Sequence, residues 1–291
     1  MLLDRVAGAP ISWGVSEVPG WGHQLAPDRV LAEMREVGLT ATEFGPDGFL
    51  PDQPTAKAKV LAAHGLAAVG GFVPVVLHDD PMPTVHRALA AFAAAGATTL
   101  VLAADTGATG YDQRVELDDE QWRRLLANLD RIRELAAAQG IAATLHPHVG
   151  TVVERERDVA RVLDGSTIPL CLDTGHLMIG GVDPAELAAE VPDRIAHTHL
   201  KDVDAGMAAL VRNGDMAYSV AVSEGMYRPL GQGDVDIVGI ITTLEHAGYT
   251  GWYVLEQDTV LAAAPPAWRG PVADVQASLG YVTELARALG A

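Results

Sequence analysis

The stretch GIAATLHPHVG, residues 140–150, carries a helix stop, a buried strand and a reactive end in succession. Gly140 follows a helical pattern, and glycine stops a helix cheaply because it takes the left-handed conformation other residues resist. An apolar run follows and ends in His146 and His148. Three more runs end the same way: LCLDTGH (170–176), AHTHLKD (196–202) and WYVLEQD (252–258). Each begins as a buried strand and stops in residues that bind metals or move protons. The helix–glycine–strand punctuation also recurs at Gly38 before LTATEF, Gly65 before LAAVGGFV, Gly96 before ATTLVL and Gly248 before YTGWYVL. Such repeats mean αβ units joined by short loops.

Counted along the chain, the strands fall at 7–13, 41–44, 67–73, 98–103, 142–146, 170–173, 195–200 and 252–256. Most are near-continuously apolar, as expected where both faces of a parallel sheet are buried. Helical patterns fill the gaps. Val30, Leu31, Met34 and Val37 share one face, and Trp122, Leu125, Leu126, Leu129, Ile132 and Leu135 make a broad stripe. Asp183-Pro184 reads as a helix start, with Asp as cap and Pro at the first helical position. Eight βα units in 291 residues predict an α/β fold, a single-domain (β/α)8 TIM barrel over 1–291. A doubly wound open sheet is the alternative. Two connections exceed ordinary loop length, 203–233 after the seventh strand and 258–272 after the eighth. Both would overhang the active-site face, the first as a lid, a substrate-binding insertion or a structural excursion.

Composition narrows the partners. Hydrophobic residues make up 49%, enough for a large core, and the formal charge is −18 from 38 acidic against 20 basic residues. With no Lys/Arg run, nucleic acid and acidic membrane surfaces are not expected partners. The one cysteine, Cys171, lies in an apolar run and reads as a small core residue. No apolar run approaches the roughly 20 residues that span a bilayer, and Asp4 and Arg5 stand where a signal peptide needs apolar residues. The expectation is a soluble, cytoplasmic protein.

In a barrel the C-terminal strand ends meet around one mouth. The candidates are His146, His148, Asp173, His176, His197, His199 and Glu256. Side chains two apart on a strand share a face, but parity alone does not decide which face inward. Singly, each has a structural reading. A strand-end His is usually a hydrogen-bonded structural residue, Asp173 could cap the next helix, and Glu256 could be a solvated strand end. Lys201-Asp202 could be a surface ion pair. Together, four consecutive strands end in His, Asp, His and Glu. That mixed nitrogen–oxygen set suits Mn²⁺, Co²⁺, Fe²⁺ or Zn²⁺, with open positions for two oxygens of a polyol or hydroxyketone.

The motifs APISWGVSEVPGWG (9–22), TEFGPDGFLP (42–51), LHPHVGTVVE (145–154), CLDTGHLMIGG (171–181), HTHLKDV (197–203), PLGQGDVD (229–236) and VLEQD (254–258) resemble those of the xylose isomerase-like barrels, the sugar isomerase/epimerase superfamily. Within it, the chain is most similar to the inosose (2-keto-myo-inositol) dehydratase branch. The resemblance implies a divalent metal, Mn²⁺ or Co²⁺ first and Zn²⁺, Fe²⁺ or Mg²⁺ after them, on His146, Asp173, His199 and Glu256. The superfamily usually has a Glu where His146 stands, and its epimerases use two glutamates on opposite faces of the substrate carbon. Losing one of them favours elimination of water from a cyclic ketopolyol over epimerisation. Glu256 or His148 would then be the base and His176 the acid, with Lys201 contacting substrate oxygens. Glu43 and Glu154 are candidates for hydroxyl contacts, and Trp13 and Trp21 for stacking on a ring face. Glu154 also reads as a solvated first-turn helix residue. The implied partner is a small polyol or keto sugar, and the often dimeric or tetrameric relatives imply a homo-oligomer. The rivals are a keto-sugar isomerase or epimerase, a repair endonuclease, which the charge opposes, and a non-catalytic polyol-binding barrel.

Overall fold

The apolar runs pair in parallel and in chain order in the computed structural model, which describes residues 1–108 and 115–290. The staves are β1 (Val6–Gly8), β2 (Ala41–Thr42), β3 in two segments (Ala67–Ala68 and Gly70–Val75), β4 (Thr99–Ala104), β5 (Ala142–Leu145), β6 (Leu170–Asp173), β7 (Ile195–Leu200) and β8 (Tyr253–Leu255). Each pairs with its successor, and β8 pairs with β1 through Val6↔Tyr253 and Gly8↔Leu255. The first segment of β3 pairs with β2 and the second with β4, so the ring closes through β3. Val69, between the segments, serves both neighbours: its N–H donates to Thr42 O, and its carbonyl accepts from Thr98 N and Thr99 N. Gly70 allows the close approach, since a Cβ there would sit 1.8 Å from Thr99 O. The expected (β/α)8 barrel is therefore the observed fold. A ring has no exposed strand edge to pair with another chain.

Helices follow the staves: α1 (Pro27–Glu36), α2 (Pro54–Ala63), α3 (Met82–Ala95), α4 (Asp119–Ala137), α5 (Glu156–Gly165), α6 (Thr174–Gly180), α7 (Pro184–Glu190), α8 (Ala205–Asn213), α9 (Tyr218–Ser223), α10 (Ile237–His246) and α11 (Pro271–Leu289). The stripe on α4 packs as its spacing predicts, with Trp122, Leu125, Leu129 and Ile132 buried and Leu126 and Leu135 at the flank. Asp183 caps α7 by accepting from Ala185 N and Glu186 N. The five helix-stop glycines all have positive φ, between 69° and 104°. Among the described residues no helix is long and apolar enough to cross a membrane.

Some boundaries differ from expectation, for local reasons. The first strand ends at Gly8, and residues 10–13 form a 3-10 turn, because Pro10 has no N–H to give a ladder. Trp13 is thereby turned into the core, fully buried, with its indole N–H on Glu33 Oε2 at 2.9 Å. The connection after β7 is built rather than loose. Residues Asp202–Val203 pair antiparallel with Tyr227–Arg228, and α8 and α9 fill the excursion between them. Asp202 does not pair with Lys201. It accepts from the backbone N–H of Val203, Gly231, Gly233 and Val235, so the PLGQGDVD turn wraps its carboxylate.

Candidate active site

β6 and β7 set the geometry, because Asp173 and His199 are register partners on adjacent staves. Asp173 uses its two oxygens differently. Oδ1 caps α6, accepting from Gly175 N at 2.9 Å and His176 N at 2.8 Å. Oδ2 faces the barrel interior, 3.1 Å from His146 Nε2 and 3.5 Å from His199 Nδ1. The cap reading and the site reading of this residue are thus compatible. Glu256, just past β8, brings Oε2 within 2.8 Å of His199 Nδ1. His146, Asp173, His199 and Glu256 each offer one ligand atom, and these atoms lie within 4.8 Å of one another.

Glu43, just past β2, stands behind His199. Its Oε1 accepts from His197 Nε2 at 2.9 Å and His199 Nε2 at 3.1 Å. With Nε2 on Glu43, His199 turns Nδ1 toward the carboxylates of Asp173 and Glu256, and although burial opposes its charge, Glu256 and Glu43 are among the groups that hold its pKa well above the ordinary imidazole value. A cation between Nδ1 and these carboxylates would take the place of the Nδ1 proton. An imidazole held by a carboxylate behind it, with its other nitrogen turned to further ligand atoms, is how metal-ligating histidines are oriented. The donor set therefore fits a divalent cation.

Charge supports the same fit. Burial alone would raise the Asp173 carboxyl, but the Lys201 ammonium and the neighbouring imidazoles hold it well below its ordinary range. Burial likewise opposes ionisation of Glu256, yet His199 and Lys201 bring its pKa down to about 2. Lys201 is buried, and burial would discharge it. Asp258, Glu256 and Asp173 outweigh that and keep it an ammonium. Its Nζ contacts Asp258 Oδ1 and lies 3.2 Å from Glu256 Oε2. Tyr218 on α9 donates to Asp258 Oδ2 at 2.5 Å and meets the Tyr227 hydroxyl at 3.0 Å. Gly175 lets α6 lie against this group, since a Cβ there would be 2.8 Å from Lys201 Cβ.

His148 and His176 stack beside the cluster, ring centroids 3.7 Å apart. Each has its tautomer set by the backbone. His148 Nδ1 faces Val149 O at 2.7 Å and so carries the proton, leaving Nε2 as the acceptor. Val149 N donates to His176 Nδ1 at 3.3 Å, so the His176 proton is on Nε2. Burial, with His146 and Lys201 nearby, lowers the His148 pKa to about 3. These groups open onto a cavity of about 900 Å³, whose wall includes Glu43, Trp21, Tyr218 and Asp258 and, away from the cluster, Phe44, Phe72 and Phe92.

Sequence reasoning selected His146, His148, Asp173, His176, His199, Lys201 and Glu256; the fold brings six of them to the wall of this one cavity, with Asp173 in the same cluster but off the wall. Glu43 and Trp21 also reach the wall. Three further candidates do not, of which His197 is fully buried behind the wall on Glu43. Trp13 is buried against Glu33, away from the cavity, as its 3-10 turn requires. Glu154 is neither on the cavity wall nor a solvated helix residue: it is buried before α5, with Oε2 accepting from Gly150 N at 3.1 Å. Asp258, Tyr218 and Tyr227 went unread. Asp258 had a signal, two residues past Glu256 and so on the same face of an extended segment. The tyrosines lie in the insertion, where no local pattern says which way they turn.

The family model described as xylose isomerase-like TIM barrel matches residues 31–277. The chain is 32% identical over 278 residues to an inosose dehydratase of Geobacillus kaustophilus (strain HTA426), covering 90% of each chain. It is 32% identical over 271 residues to the rhizopine catabolism protein MocC of Rhizobium meliloti, covering 89% of this chain and 82% of that one. Among solved structures it superposes on an L-ribulose 3-epimerase with a TM-score of 0.68 at 17% identity, over 98% of this chain and 95% of that one. A closed ring of parallel staves with its polar groups gathered at the C-terminal strand ends agrees with these matches. The chain belongs to the xylose isomerase-like TIM barrel family.

Proposed function

We propose that the protein is a metal-dependent dehydratase that eliminates water from a cyclic ketopolyol of the 2-keto-myo-inositol kind. The observation that carries this reading is the four-residue cluster in which an imidazole, His146, joins Asp173, His199 and Glu256. The similarity to an inosose dehydratase over most of both chains supports the substrate class. A divalent cation held by those four side chains would supply Lewis acidity to the ketone oxygen and a neighbouring hydroxyl.

The chain's own groups then divide the proton work. A base must take the proton next to the ketone, and Glu256, ionised and on the cavity wall, is suited to it. His148, with its acceptor nitrogen fixed by the Val149 contact, is the other candidate. The departing hydroxyl needs a proton. His176, which carries its proton on Nε2, is suited to donate it, while the buried Lys201 ammonium, held charged by Asp258, stays a fixed cation. Charge building on the enediolate oxygen would also be met by Lys201. Glu43 and Trp21 would contact the ring hydroxyls and face.

A keto-sugar epimerase is the second reading. What favours it is Glu43, a second carboxylate on the cavity wall that could exchange a proton opposite Glu256. Products separate the two. Incubation with 2-keto-myo-inositol and Mn²⁺ should yield the conjugated product absorbing in the ultraviolet, with no epimer by NMR. Epimer formation without water loss would replace the dehydratase reading. Asp173→Asn should abolish activity and Mn²⁺ binding yet keep the fold, since Asn still caps α6. Full activity after exhaustive chelation would remove the metal from the proposal.

A further inference from the structure

Cys171 precedes Asp173 by two residues on β6, so both side chains share the inward face, one layer apart. The thiol is fully buried. Its sulfur and one ring nitrogen each of His146 and His199 lie within 4.8 Å of one another. Nδ1 of His146 is buried without a hydrogen bond, and both histidines are 1% exposed. The two histidines thus have two unlike partners within reach: the carboxylates of Asp173 and Glu256, and a sulfur. Carboxylates favour harder cations, whereas thiolate selects softer ones.

We propose that His146, Cys171 and His199 form a second cation site, one layer deeper in the barrel, that takes a soft divalent ion such as Cd²⁺. Binding breaks the sulfur–hydrogen bond and forms a sulfur–metal bond; the proton leaves to buffer and nothing is oxidised or reduced. The two ligand sets share His146 and His199, and two dications this close would repel strongly. Occupancy of one set therefore excludes the other. A soft ion in the deeper set withdraws both imidazoles from the carboxylates, so it blocks the upper set without destroying it. The proposal concerns cation binding alone and does not require the dehydration reading.

The test uses the full chain stripped of metal by chelation and titrated with Cd²⁺. One equivalent should bind with a thiolate-to-metal charge-transfer absorption in the ultraviolet. Excess Mn²⁺ should compete it away, and a chelator should reverse it. Cys171→Ala and the near-isosteric Cys171→Ser should each lose the absorption and bind Cd²⁺ about tenfold or more weakly. Asp173→Asn should keep the absorption, because the deeper set lacks that carboxylate. The proposal is overturned if Cd²⁺ binds the wild-type chain without the absorption. It is equally overturned if the cysteine variants bind Cd²⁺ as tightly as wild type, or if Asp173→Asn loses the band. None of these outcomes depends on which product the enzyme makes, so the two readings fail separately.

Discussion

Glu43 does two things with one carboxylate. Oε1 takes N–H bonds from His197 and His199, while Oε2 takes none from the described residues on a side chain that lines the cavity. His197 is fully buried; it bonds this carboxylate and sets its ring edge-on to that of His199, centroids 5.2 Å apart. It is therefore a positioning residue: it shares the charge of Glu43 and fixes the oxygen that orients His199. Removing it by His197→Ala should weaken Mn²⁺ binding by about 10–100-fold, the usual cost of losing an outer partner of a ligand histidine. His197→Gln, whose amide can still donate to Glu43, should recover much of that loss. A purely structural role would lower thermal stability in both variants and leave metal affinity alone, so calorimetric titration of all three proteins distinguishes the roles.

At the scale of elements, the barrel depends on how helices are tied to the staves they precede. Asp130 on α4 is one such tie. Its Oδ1 accepts from the Ser166 hydroxyl at 2.9 Å and from both N and Oγ1 of Thr167 at 2.7 Å, at the entry to β6. Partial burial pushes the carboxyl upward, but these donors prevail and hold it below its ordinary pKa. A carboxyl depressed in the folded state stabilises the fold above its unfolded pKa, near 4. That contribution is lost as pH falls through the folded pKa. Asp130→Asn mimics the protonated acid. It should cost about 1 kcal/mol at pH 7, or roughly 2–4 °C in melting temperature. The gap between variant and wild type should narrow as pH drops below about 4 and vanish in stronger acid. A gap that stays constant across this range would show that the charge of Asp130 contributes nothing to the tie.

For the whole molecule, the sequence was readable where one residue type has one physical use. Glycines after helices and doubly buried apolar runs gave the eight staves, and strand-end polar groups gave the ring of ligand candidates. What escaped was set by tertiary closure. Nothing near Val69 announces that one stave would split to serve both neighbours, and Pro10 had to be weighed as a strand breaker before Trp13 could be sent to the core. Lys201, though chosen as a substrate contact, also allowed a reading as half of a surface pair, because its partner Asp258 follows another stave. The closed ring also determines how a cation acts on the molecule. It packs the anionic Asp173, Glu256 and Glu43 into one buried site with Lys201 as the nearby ammonium, in a chain already at −18. Binding there stabilises the folded state by mass action, about 2.7 kcal/mol at a hundredfold excess over Kd. Melting temperature should therefore rise by roughly 5–10 °C with Mn²⁺ and climb with the logarithm of its concentration. Screening of the net charge is the competing cause, and it has a different dependence: NaCl at equal ionic strength would reproduce it. The rise should persist at fixed ionic strength, reverse on chelation, and disappear in Asp173→Asn and Glu256→Gln. If those variants respond to Mn²⁺ as the wild type does, the stabilisation belongs to the acidic surface and not to the cluster at the mouth of the barrel.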